Sequence, residues 1–355
     1  MDITAILESA VKQSASDIFI ISNLPVSFKI DGVVTPQGGQ RLTPDDTEQM
    51  LRTIYGLQKN RSYESFLEQG DDDFSFSLSG VGRFRVNAYR QRNTLAAVIR
   101  TVLFTLPDPK ELGIPPQVID IARKGKGLAL VTGVAGCGKS TTLACIIDAI
   151  NASRSCHIIT LEDPVEFIHR HNRAIVSQRE IFSDTASYVT ALRAALRQSP
   201  DVILLGEMRD YETINIAMTA AETGQLVLSS LHTIGAAKTI DRIIDVFPAL
   251  QQRQIRVQLS LVLQTVVSQQ LLPSVDGGLV PAFEIMNVTP AIRNMIREEK
   301  VHQIDGAIMS GQQDGMVTMD ASILGLYRAG RISAETALNY STHYDDMARR
   351  IQGLR

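Results

Sequence analysis

The chain has 355 residues, 44% of them hydrophobic and 21% charged, an ordinary globular composition with room for two domains or three. Against 35 Lys and Arg stand 38 Asp and Glu, and the resulting net charge of −3 gives no global attraction to nucleic acid or to anionic lipid. The start, Met1 to Gln13, carries Asp2 and no basic stretch before an apolar core, so it does not read as a signal peptide. Cys137, Cys145 and Cys156 make no CxxC pair. A disulfide framework and a tetracysteine zinc site are therefore not expected, and a reducing cytoplasm fits best.

The first hundred residues predict a small α+β domain. Ile3, Ile6, Leu7, Ala10 and Val11 recur at helical spacing. Short β-rich runs follow at Ile18–Ile21 and Val26–Ile30, with Asp31-Gly32 as a turn signal. Phe74–Leu78 and Phe84–Tyr89 alternate apolar and polar residues, as half-buried strands do. The run Asp71-Asp72-Asp73 reads as a solvated loop ahead of a strand rather than a metal site. Four prolines and Gly113 between Thr105 and Pro116 mark a linker.

Strand and helix then alternate. Leu128–Val131 is a continuous apolar run, and a helix is predicted from about Lys139, with Leu143, Ile146, Ile147 and Ile150 on one stripe. Ile158–Leu161, Val202–Leu205 and Leu226–Leu228 are further buried-strand candidates. This pattern predicts a parallel sheet covered on both faces, with ligands at the carboxyl ends of its strands. Val257 to Val275 is interrupted by Gln258, Gln264, Gln269 and Gln270 and reads as an amphipathic helix, too polar to span a membrane. From about Pro273 onward the pattern is mostly helical, with no catalytic motif.

The strongest motif lies after the first of these strands. Gly133, Gly138, Lys139 and Ser140 form G-x-x-x-x-G-K-S between an apolar run and a helix, the context a phosphate-binding loop requires. Glycines let backbone N–H groups close on phosphates, and the helix N-terminus adds positive potential. Lys139 would reach the outer phosphates and Ser140 would ligate Mg²⁺. Two acids end strands: Glu207 after Val202–Leu205, and Glu162 after Ile158–Leu161. One can serve the metal while the other polarises water. Asp163 and Glu166 beside Glu162 are equally readable as solvated acids. His232 ends a further strand, where a phosphate sensor would stand. Cys137 at a helix N-terminus could be a reactive thiol, but its small size alone explains it better.

These blocks together resemble one family, the secretion ATPases of type II secretion and type IV pili, along nearly the whole chain. In that family's terms Gly133–Thr141 is similar to the Walker A box and Ile159–Phe167 to the Asp box. Ile203–Asp210 is similar to the Walker B box and Thr223–Thr233 to the His box. The resemblance implies an α/β fold with a RecA-like P-loop ATPase core over 117–272. It adds a smaller PAS-like α+β domain over 1–104, a linker over 105–116 and a helical region over 273–355. It implies ATP and Mg²⁺ as cofactors. Nucleotide contacts would come from Gly133, Gly136, Cys137, Gly138, Lys139, Ser140 and Thr141, and metal contacts from Ser140 and Glu207. Glu162 would be the general base, Glu207 the Walker B acid and His232 the phosphate sensor. The assembly implied is a hexameric ring in the cytoplasm, peripheral at the inner face of the membrane through a pilus platform protein. Its domains would hinge about the linker.

Ala291–Glu298, AIRNMIRE, resembles the AIRNLIRE block of the retraction branch, with Met295 in place of Leu. The missing tetracysteine motif points the same way. Pilus extension and type II secretion remain alternatives, as does an ATP-dependent nucleic-acid-binding protein, which the 5% aromatic content and absence of Trp disfavour. Three features depart from the family pattern. The loop has Val134, Ala135 and Cys137 in place of Pro, Thr and Ser. Gln225 stands where the His box has its first histidine. Of Arg83, Arg85, Arg90, Arg92 and Arg100, only Arg85 and Arg100 align with the family's cross-subunit arginines without a shift, and surface charge explains each as well.

Overall fold

A computed structural model describes residues 2–30, 32–57, 61–78, 80–102 and 106–353. Its contacts divide the chain into one unit of Met1–Thr105 with Pro164–Ile168, and a second of Leu106–Asp163 with His169–Arg355.

The first unit contains α1 (Ile3–Lys12), β1 (Asp17–Ile20), β2 (Ser27–Ile30), β3 (Val33–Pro36), α2 (Pro44–Gly56), α3 (Tyr63–Gln69), β4 (Asp71–Leu78), β5 (Gly82–Gln91) and β6 (Thr94–Val102). Its strands form an antiparallel sheet of order β3-β2-β1-β6-β5-β4. The helical spacing read at the start buries Ile3, Leu7 and Ala10. Between β5 and β6 a two-residue turn puts Arg92 at φ 46° and Asn93 at φ 63°, the geometry that matches strand twist in a hairpin. Asp31 of the expected first turn lies outside the described residues; Gly32 has φ 81°.

The acidic run 71–73 departs from expectation, because it opens β4 instead of preceding it. Pairing with β5 satisfies the inward side of its backbone, and its charges find partners on neighbouring elements. Asp72 accepts from the Tyr55 hydroxyl at 2.9 Å and pairs with Arg61 at 3.2 Å. Asp73 receives Arg85 through two contacts, of 2.9 and 2.6 Å.

The second unit begins with α4 (Pro116–Ile119), β7 (Gly127–Thr132), α5 (Lys139–Ser153), β8 (His157–Glu162), β9 (Ile175–Glu180), α6 (Tyr188–Ala195), β10 (Val202–Leu205), α7 (Tyr211–Glu222), β11 (Leu226–Leu231) and α8 (Ala236–Asp245). It continues through α9 (Ala249–Val262), β12 (Leu263–Pro273), β13 (Leu279–Asn287), α10 (Pro290–Arg297), α11 (Ile304–Ser310), α12 (Met319–Arg328), α13 (Ala334–Tyr340) and α14 (Tyr344–Gln352). The sheet order is β13-β12-β7-β11-β10-β8-β9, parallel except where β12 meets β13. Apolar side chains cover both faces. One cluster joins Leu143, Ile146, Ile147 and Ile150 of α5 to Ala129, Val131 and Ile158. The other joins α6 through α9 to Leu128, Leu130, Ile159 and Leu205.

Three expectations are corrected here. Residues 257–275 are not one helix, because α9 ends at Val262 and Leu263 turns to extended backbone at ψ 128°. Thr265, Val266 and Val267 favour a strand, and β12 lies between β7 and β13, which satisfy its backbone on both sides. The scattered glutamines hid this alternation. Second, strand and helix do not alternate throughout, because β9 follows β8 with no helix between them and forms the sheet edge. Third, the mostly helical region from 273 onward opens with a strand: β13 belongs to the sheet, and the boundary drawn at 272/273 falls inside β12. Ile292, Ile296, Ile304 and Ile308 of α10 and α11 share the core of the main sheet. Helices α12 to α14 pack on the far end of the β12–β13 hairpin. Among the described residues no helix is long and apolar enough to cross a membrane.

Candidate functional site

Parallel pairing fixes which residues meet at the strand ends. Reading the sheet from β7 through β11 and β10 to β8, the carboxyl ends present the 133–138 loop, His232, Glu207 and Glu162 in one row. Strands about 4.8 Å apart make that row roughly 14 Å long.

The loop leaves β7 at Gly133 and opens α5 at Lys139. Gly133, Gly136 and Gly138 have φ of 145°, 76° and 89°, values that side-chain-bearing residues avoid. At Gly133 space also forbids a side chain: a Cβ there would stand 2.3 Å from the Gln269 carbonyl oxygen and 2.6 Å from Cys137 Sγ. Lys139 is only 8% exposed, and its Nζ donates to the Gly133 and Val134 carbonyls at 2.9 Å each. A cation folded back over glycine-rich backbone at a helix N-terminus fits a phosphate chain, because the loop concentrates N–H donors and positive charge. Cys137 is buried, and that burial pushes its thiol above the ordinary range despite the Lys139 charge and backbone N–H groups. Cys137 Sγ packs against the first residue of the loop, 2.6 Å from where a Cβ on Gly133 would stand.

Glu162 closes β8. Its Oε1 accepts from Thr160 Oγ1 at 2.5 Å and from Gln178 Nε2 at 3.3 Å. By strand alternation it shares a face with Ile158, the face that α5 covers. Glu207 lies two residues beyond β10. Its Oε2 meets Arg209 Nε at 2.7 Å and His232 Nε2 at 3.5 Å, so the expected acid and the expected histidine are brought together. The adjoining Asp210 is a helix cap, accepting from the Thr213 N–H and hydroxyl. Gln225 stands at the opposite end of β11 from His232 and accepts from Thr223 Oγ1. No group of three or more His, Cys, Asp or Glu able to hold a metal occurs among the described residues. Mg²⁺ at nucleotide sites is commonly held by one or two protein oxygens with phosphate oxygens and water, and Ser140 at the start of α5 and Glu207 beyond β10 are residues that could supply them.

Sequence reasoning missed Tyr188. It begins α6, and burial, followed by the charges of Glu207, Asp163 and Glu162, raises its phenol above the ordinary value. The hydroxyl lies 2.8 Å from where a Cβ on Gly206 would be, so that glycine leaves room for it. The only sequence signal is that glycine between an apolar strand and an acid.

The two arginines taken from the first unit are engaged locally. Arg85 pairs with Asp73, and Arg100 Nε pairs with Asp17 at 3.0 Å while its side chain stays 66% exposed. In α10 the apolar stripe buries Ile292 and Ile296, and Arg293 donates to the Ser260 and Leu261 carbonyls, stabilising the C-terminal turn of α9. A separate cavity of about 660 Å³ adjoins Ile234 and Gly235 and is bounded by Glu284, Asp305, Asp320 and Met316; no residue of the loop lines it.

The family model described as type II/IV secretion system protein matches residues 1–317, and the chain belongs to that family. It is 47% identical over 337 residues to the type IV pilus retraction ATPase PilT of Pseudomonas aeruginosa, covering 95% of this chain and 97% of that protein. It is 42% identical over 347 residues to the twitching motility protein of Neisseria gonorrhoeae, covering 98% and 92%. Among solved structures, the pilus retraction motor PilT with bound ADP superposes with a TM-score of 0.90 at 43% identity, covering 98% of this chain and 99% of that one.

Proposed function

We propose that this chain is an ATPase that powers retraction of a type IV pilus, working as a homo-hexamer at the cytoplasmic face of the inner membrane. One observation carries the reading: a glycine-rich phosphate loop, a histidine and two acids occupy adjacent strand ends of one parallel sheet. It agrees with relatives named for pilus retraction and twitching that match nearly the whole chain.

In this reading Gly133–Thr141 hold the triphosphate, with Lys139 on its outer phosphates. Ser140 and Glu207 hold Mg²⁺, which would neutralise charge on the phosphate oxygens. Glu162 accepts the proton of the attacking water, and the Thr160 and Gln178 hydrogen bonds fix its orientation. His232 senses the terminal phosphate and reports through its contact with Glu207. Arg85 and Arg100 are the candidates for charge stabilisation from a neighbouring subunit, and each would first leave its carboxylate partner. An inner-membrane platform protein is the proposed load. The 291–298 block on α10 favours retraction over extension.

A strain lacking the gene tests the direction of work. Retraction predicts more surface pili and no twitching, restored by the wild-type gene and not by a Lys139→Ala copy. Loss of surface pili would contradict it.

A further inference from the structure

We propose that Gln269 of β12 is a positioning residue for the phosphate loop, holding both ends of that loop and the helix it opens. The inference rests on the reading of the 133–140 loop as the nucleotide site.

A glutamine in a sheet interior is costly unless its amide is used, and Gln269 is 4% exposed. Strand β12 runs parallel to β7 with Ser268 opposite Thr132, which brings Gln269 alongside Gly133. Its main-chain oxygen lies 2.3 Å from where a Cβ on Gly133 would be, so the loop's first residue rests directly on Gln269 backbone. Its side chain reaches the other end. Oε1 accepts from Thr142 Oγ1 at 2.8 Å, one turn into α5, and Nε2 lies 3.0 Å from the Cβ position of Gly138. The N–H end of the amide therefore faces Gly138, the residue that caps α5, and its dipole would add positive potential behind the phosphates.

The neighbouring residue does comparable work on the opposite face. Ser268 Oγ accepts from the Gly235 N–H at 2.9 Å, three residues beyond His232. Glu284 of β13 accepts from the next N–H, that of Ala236, at 2.8 Å. One hairpin thus backs both the phosphate loop and the segment after His232, and β13 continues toward α10.

Steady-state ATP hydrolysis of the full-length protein tests this with two variants. Gln269→Leu removes the amide and is expected to raise the KM for ATP about tenfold, one hydrogen bond's worth, with kcat changed much less. Gln269→Glu keeps the volume and the bond from Thr142 but replaces N–H with negative charge, and is expected to raise KM at least as far. A packing role predicts the reverse, with Glu restoring wild-type KM and only the melting temperature moving. Should the Leu variant not fold, the isosteric Glu variant decides alone. A wild-type KM in Gln269→Glu overturns the proposal. Lys139→Ala, assayed in parallel, separates the two failures. If it also hydrolyses normally, the nucleotide-site reading falls; if it is inactive while Gln269→Glu is normal, only the role of Gln269 falls.

Discussion

The two sheets of this molecule use the same charged residue types in opposite ways. In the antiparallel sheet the carboxylates lie along the strands and are answered by cations beside them: Asp17 by Arg100, Asp72 by Arg61 and Asp73 by Arg85. In the parallel sheet β7, β10, β11 and β12 carry no charged residue, and Glu162, Glu207 and His232 are held at strand carboxyl ends beside a glycine loop. Parallel strands are buried on both faces, so charged groups gather at their ends. An antiparallel sheet with one wet face can carry charge along its length. Position on the strand, rather than residue type, separates carboxylates that hold structure from carboxylates available to a ligand.

Substitutions can break that comparison. The largest effect is expected at the loop. Lys139→Ala should weaken ATP binding and hydrolysis by about 100-fold or more, since charged hydrogen bonds contribute roughly 1.5–3 kcal/mol each and tenfold is about 1.4 kcal/mol. Its melting temperature should change little, and nucleotide titration with phosphate release measures both. Asp72→Ala should do the opposite. It strands the Tyr55 hydroxyl and the Arg61 cation at a position 16% exposed, costing about 1–3 kcal/mol in urea unfolding. Turnover per folded molecule should be unchanged; a large loss of turnover would erase the distinction between the sheets.

A smaller, pH-dependent effect is expected at Glu284. Burial raises its carboxyl above the ordinary value of 4.5, against the lowering effect of the Ala236 N–H. The folded state then holds a proton that the unfolded state releases, so this stability is full below pH 4.5 and is lost as pH rises through the folded value. Glu284→Gln keeps an oxygen to accept from Ala236 and cannot ionise. It should melt higher than wild type at neutral pH, with the gap closing toward pH 4.5. A gap that widens on acidification would contradict the assignment.

Much of the row of strand ends was legible in the sequence because each member is local. The loop's spacing, the acids after apolar runs and His232 after Leu228–Leu231 are all patterns of a few residues. What could not be read depends on sheet order. Thr142 and Gln269 are 127 residues apart, and nothing near Gln269 announces that β12 will lie beside β7. Gln264, Gln269 and Gln270 broke the alternation of β12 and made it look helical. Tyr188 was hidden for a related reason, since its neighbours Glu162 and Glu207 stand at the ends of β8 and β10. Along β4 the acidic run looked like a loop because its compensating cations are supplied by β5 and by the segment before α3.

The central claim is that the row at the strand ends performs hydrolysis, with Glu162 as its base. The direct measurement is phosphate release by the Glu162→Gln variant alongside its ATP affinity. The account predicts wild-type affinity and a turnover lower by about 10²–10⁴, the usual contribution of a general base. Wild-type turnover in Glu162→Gln would contradict it.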